Sequence, residues 1–242
     1  MYDLKGSPSG GTLATVFGIL DKYSISEVTE ASKPWALCPI SPPRESSESA
    51  RPLIEKVTGV RVVKDLGTLT TSLQGSADAT IVHRSWGLID GGKTYGPKFC
   101  FSPYMNVRNV LTGFFVHVAL AVGMLSLLVP PIRWLLQSQV FQPGQGPSRE
   151  SSRNDRLEYR AIATVDSKDP NDPKRISGRM AWQGSMYHLT GVLLAEAAIT
   201  LLRDQTLAKE IGGGFLTPAT LGGAFLDRLQ KAGLKTDTRV MP

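Results

Sequence analysis

The sequence predicts an α+β fold: a mixed or antiparallel sheet with covering helices, and one strongly hydrophobic, membrane-associated helix. Three observations carry this. Strand-like and helix-like segments do not alternate regularly, as they would in a doubly wound domain. Residues 157–165 and 175–182 read as a hairpin. Residues 110–129 hold 15 apolar side chains and no charge.

Composition narrows the class further. The chain has 242 residues, 41% hydrophobic and 20% charged, which is globular rather than disordered. Its formal charge of +6 permits an anionic partner. Aromatics reach only 7%, and no RNP box or zinc-finger spacing occurs, so no nucleic acid is expected. Cys38 and Cys100 are too few for a disulfide scaffold or a cysteine zinc site. His83, His117 and His188 lie far apart without ligand spacing, so they read as packed or surface residues and no metal is expected. The opening MYDLKGSPSGG lacks the apolar core of a signal peptide.

Taken in order, residues 12–23 place Leu13, Val16, Phe17 and Leu20 at i, i+3, i+4 and i+7, so they predict an amphipathic helix. Ser9 or Thr12 would cap it. Residues 34–52, with five prolines and a Ser/Glu cluster, read as an exposed loop. Val60, Val62 and Val63 suit a strand within residues 57–69, and residues 77–89 favour a short helix. Residues 140–154 read as a polar Gly/Pro/Ser linker. After the hairpin, residues 190–208 form a helix with a stripe that includes Val192, Leu193, Ile199 and Leu202, closed by Gly212 to Gly214. Thr217 and Pro218 open a last helix that ends near Gly233.

The hydrophobic segment is apolar on every face, since Thr112, His117 and Ser126 do not share one. Twenty residues are enough to span about 30 Å of hydrocarbon. Pro130 and Pro131 end the run, and Arg133 and Trp134 follow as interface anchors. No Asp or Glu occurs between Gly91 and Arg149, where Lys93, Lys98, Arg108 and Arg133 supply basic charge. The expectation is association with a membrane or lipid-droplet surface, crossing it or turning back at Pro-Pro. A core helix of a soluble domain is the alternative.

No complete catalytic constellation is visible, and no catalytic residue is assigned. The nearest approach to a dinucleotide turn, Gly144-Gln-Gly146-Pro-Ser-Arg149, lacks the third glycine and follows a hydrophobic helix. Ser9, Gly10, Gly11 and Thr12, at a helix start, are a weak anion-binding candidate through free backbone N–H groups. An ordinary helix cap is the competing reading.

Several segments resemble the saccharopine dehydrogenase-like oxidoreductases, a group that includes trans-acting enoyl reductases. They are GSPSGGTLATVFGILDKYS near the start, IVHRSWGLI followed by YGPKF, GVLLAEAA, GGFLTPA, and DRLQKAG near the end. They run in family order from about Gly6 to Gly233. The resemblance covers the family's second half. It implies that residues 1–109 and 157–242 form the C-terminal domain, with residues 110–136 as the hydrophobic helix and 137–156 as a linker. Family members bind NAD(P) in a preceding Rossmann domain, so no cofactor-binding residue is expected in this chain. The resemblance points to a truncated, substrate-side half of an oxidoreductase, tied to a membrane or lipid droplet and to lipid or glycolipid metabolism. Its partners would be a lipid surface and a lipid substrate, with a homodimer left open. A non-enzymatic membrane or lipid-droplet adaptor and a soluble interaction domain remain as alternatives.

Overall fold

The computed structural model describes residues 2–5, 10–41, 52–139, 144–148, 150–165 and 174–241. Its centre is a seven-stranded sheet of β1 (Tyr2–Lys5), β2 (Val60–Val63), β3 (Gly67–Thr71), β4 (Tyr104–Val107), β5 (Arg156–Thr164), β6 (Arg175–Gln183) and β7 (Lys235–Met241). The spatial order is β2-β3-β4-β1-β5-β6-β7. Every neighbouring pair is antiparallel except β1 with β4. The sheet is therefore mixed, and the α+β expectation holds. β1 joins β4 to β5, so segments on both sides of the hydrophobic helix share one sheet.

The hairpin forms as read, with β5 and β6 paired from Arg156↔Gln183 to Thr164↔Arg175. Its Leu157 and Trp182 enter the main core with Leu189, Leu221, Phe225, Leu229 and Leu234. α7 (Met186–Arg203) contributes Leu189 to that core and α9 (Gly222–Lys231) contributes Phe225 and Leu229. α7 is shorter than read at its C-terminal end. It stops at Arg203, where Asp204 turns extended, and α8 (Leu207–Ile211) starts anew under the Thr206 cap. Gly212, at φ +87, closes α8 rather than α7. The last helix begins as a 3-10 turn at Pro218–Leu221, and Gly222 at φ +69 breaks it from α9.

At the other end, α5 (Val110–Ser126) packs on β2, β3 and β4. A side chain on Gly113 would meet Val60, Val107 and Thr70, so glycine lets the helix lie close on the sheet. α1 (Gly10–Lys22), the amphipathic helix read near the start of the chain, lies beside α2 (Ile25–Ala31). Arg133 ties it to α6 (Pro130–Gln139), 2.8 Å from Asp21 and 3.3 Å from the Leu20 carbonyl. Arg133 is thus an internal strut, not an interface anchor.

The hydrophobic run is also not one helix of 20 residues. α5 stops at Ser126, four residues before Pro130, whose missing N–H and ring cannot continue the helix over the Ser126 carbonyl, and Pro130 then opens α6 at a position where its missing N–H costs nothing. No single described helix is long and apolar enough to cross a membrane. α5 and α6 pass that test only together, and they bend by 105°.

α4 (Gly75–Leu88) realises the short helix, and α3 (Leu53–Thr58) takes Val57 away from the extended segment. Part of the proline-rich loop is packed: Trp35 stacks on the buried His83 at 3.9 Å, and Nδ1 of that ring lies 2.9 Å from the Pro34 carbonyl. Residues 42–51 of the loop lie outside the described residues.

Candidate functional site

The sequence candidate at the first helix opens onto a cleft of about 1130 Å3. Gly10 is the first residue of α1, and Gly11 borders the cleft. Thr12 is the third helical residue, so it is not the N-cap. Ser9 lies outside the described residues. Facing Gly11 are Gly144, Gly146, Arg153, Ser185 and His188.

The segment read as a linker builds this wall instead of merely crossing the surface. Gly144 sits at φ +85, a conformation that favours glycine. A Cβ on Gly146 would overlap the Tyr187 hydroxyl, so a side chain there would turn the half-exposed tyrosine aside from the first turn of α7. Ser152 is buried, and its hydroxyl donates to the Ser148 carbonyl at 2.9 Å. Gly184 N–H donates to the Asp155 carbonyl at 2.8 Å and pins the loop to the end of β6.

Ser185 caps α7, accepting from the Tyr187 N–H at 3.2 Å. Two helix N-termini, those of α1 and α7, therefore border one cleft. Each carries roughly half a positive charge, and both favour an anion. Arg153 adds a cation at the rim and Glu150 an opposing charge. His188 sits edge-on to Trp182 at 5.6 Å, which orients its ring at the cleft wall. Glu150 is the one carboxylate among the described lining residues, and the Ser152 and Ser185 hydroxyls are engaged with the Ser148 carbonyl and the Tyr187 N–H. Among the described residues no group of three or more His, Cys, Asp or Glu could hold a metal.

The fold that binds a nicotinamide dinucleotide uses a strand, a glycine turn and a helix that leads back to a neighbouring parallel strand. β1 precedes α1, but α1 leads into α2, and β1's parallel neighbour β4 comes much later. Its other neighbour, β5, is antiparallel.

Sequence reasoning left Arg153, Ser185, Tyr187 and His188 unassigned. Gly184-Ser185 before an apolar helical stripe is a legible cap signal. That the GQGP loop would meet Gly11 is not legible, because the two are brought together by β1 pairing with β5.

No family model matches the sequence, and no solved structure matches the chain. Curated relatives do. A Mycobacterium tuberculosis protein, named provisionally as a trans-acting enoyl reductase, is 29% identical over 97% of this chain and 57% of its own length. A Mycobacterium bovis protein named trans-acting enoyl reductase is 25% identical over 95% of this chain and 56% of its own. The chain thus spans little more than half the length of these relatives, and it is along nearly its whole length that it is similar to proteins named trans-acting enoyl reductases.

Proposed function

We propose that this chain is the substrate-side portion of an enoyl-reductase-type oxidoreductase of the saccharopine dehydrogenase-like kind, serving lipid or glycolipid metabolism. The nicotinamide that supplies the hydride is held outside the residues described. The observation that carries the reading is the similarity along 97% of the chain to proteins named for that activity. The cleft between the α1 and α7 N-termini supports it, because its two helix ends and Arg153 suit a phosphate-bearing ligand. The test is a chimera in which these 242 residues replace the matched part of the M. tuberculosis relative. With NADPH and a trans-2-enoyl thioester it should oxidise the nicotinamide, and Arg153→Ala should raise KM by about tenfold while kcat holds. A folded chimera that binds NADPH without turnover would sink the proposal.

A second reading concerns location. Leu111, Phe115, Val122 and Leu125 on α5, and Trp134 and Leu135 on α6, are each more than half exposed. So large an apolar surface marks an interaction site. With Lys93, Lys98 and Arg108 nearby in sequence and no acid between, it suits an anionic lipid surface, on which the bent pair rests without crossing. Vesicle flotation tests it.

A further inference from the structure

A second cavity of about 400 Å3 lies between α5, α3 and α4, and it shares no lining residue with the cleft at α1. Its polar groups are unevenly satisfied. The Tyr104 hydroxyl donates to Glu55 Oε1 at 2.6 Å, and Arg61 Nη1 donates to the Tyr104 oxygen at 3.3 Å and lies 3.9 Å from Glu55. The one acid in the cavity wall is therefore already neutralised. His117 Nδ1 meets Thr71 Oγ1 at 2.8 Å, which leaves Nε2 for a ligand. Gly59, at φ +65, has no Cβ to collide with that ring. The Ser72 hydroxyl is the telling group: it is 8% exposed, borders the cavity, and has no hydrogen-bond partner. A buried hydroxyl is costly to leave unpaired. Lys56 completes the wall.

This polar chamber adjoins an apolar groove of about 480 Å3, with Ser32 and Ser76 common to both. Ile19, Tyr23, Val28, Ala31 and Ala77 line the groove. Its acid, Glu27, is turned to the α2 cap, where it accepts from the Ser24 N–H and hydroxyl.

We propose that chamber and groove together bind a single-chain carboxylate amphiphile, a fatty acid. The carboxylate accepts from Ser72, His117 Nε2 and Lys56, and the hydrocarbon lies along Ile19, Tyr23, Val28 and Ala31. Charge selects the head group: Lys56 is the cation among the described lining residues, Glu55 is engaged by Tyr104 and Arg61 and Glu27 by the Ser24 cap, so an anion is favoured over an alcohol. The single groove selects one chain rather than two. This site does not depend on the reductase reading, and its test needs no nicotinamide.

The test is calorimetric titration of the full chain with dodecanoate below its micelle concentration. One molar equivalent should bind, about tenfold tighter than dodecanol, and acetate should give no saturable heat. Ala77→Phe fills the groove and should abolish binding while leaving the apolar exterior of α5 and α6 intact. Ala31→Phe does so from α2, should the first variant misfold. Ser72→Ala and His117→Gln should each weaken dodecanoate several-fold and leave dodecanol unchanged. Dodecanol binding as tightly as dodecanoate would overturn the proposal. So would dodecanoate binding that survives the groove-filling variant whose circular dichroism matches the parent.

Discussion

Changing Phe115, Val122 and Leu125 to Ser should release the protein from anionic vesicles without unfolding it. These side chains are 61%, 59% and 64% exposed, so they contribute little to the fold. Complete burial of such a side chain is worth about 1.5–3 kcal/mol. Burying the exposed three-fifths in lipid gives about 1–2 kcal/mol each, or about 3–5 kcal/mol for the three. At about 1.4 kcal/mol per tenfold, the variant should lose two to three orders of magnitude in partitioning. Lys93 and Arg108 add about 1 kcal/mol each near an anionic surface, whereas Arg133, held by Asp21, is not counted. Wild type should therefore float more completely with phosphatidylserine-containing vesicles than with phosphatidylcholine alone. Sucrose-gradient flotation reads both effects, and a denaturant melt should place the variant within about 0.5 kcal/mol of wild type. A variant that floats like wild type, or a wild type that floats with neither vesicle, would refute the reasoning.

Leu229→Ala removes a 5% exposed side chain from the core beneath α7 and should cost about 2–5 kcal/mol in a urea melt; a loss under about 1 kcal/mol would contradict that packing. Ser24→Ala deletes the capping box of α2 and should cost about 1 kcal/mol, visible as faster amide exchange confined to Ile25–Ala31. Arg179, with Arg160, holds the Glu158 carboxyl at about 2, below the usual 4.5. Its folded value is depressed, so its stabilisation is fully present above pH 4.5 and is lost as pH falls toward 2. The pair is on the surface, so the effect is about 1 kcal/mol or less, and melts of wild type and Glu158→Gln should converge on acidification. Curves that stay parallel down to about pH 3 would be the contrary result.

What the sequence made legible follows the range of the forces involved. The β5–β6 hairpin is legible because its alternation and turn are local. α1 is legible from its apolar periodicity, whereas residues 77–89 only lean toward the helix that α4 forms. β1, β4 and β7 are not. β1 and β4 are four residues each, and β1 exists as a strand only because Glu158 and Leu157 arrive opposite Asp3 and Leu4 from far along the chain. β7 reads KTDTRVM, whose charged residues mask the alternation of an outer strand. The cleft shares that limit: its parts are a helix start, a glycine loop and a second helix start, and only the sheet assembles them.

The hydrophobic helix shows the limit from the other side, because hydropathy alone cannot say which face of it meets protein. Gly113 and His117 are four apart, so they lie on one face. Consecutive threonines of β3 reach both: Thr70 donates to the Gly113 carbonyl at 2.8 Å, and Thr71 meets His117. Leu111, Phe115, Val118, Val122 and Leu125 follow the alternating four- and three-residue spacing of a second stripe, and all are exposed. Average apolarity hides this division, since the inward face uses a small residue and a polar one while the outward face carries the large side chains. That is the reverse of a surface helix on a soluble domain. The two proposals therefore draw on opposite faces of one helix: the lipid contact on the outer stripe and the carboxylate site on the inner histidine.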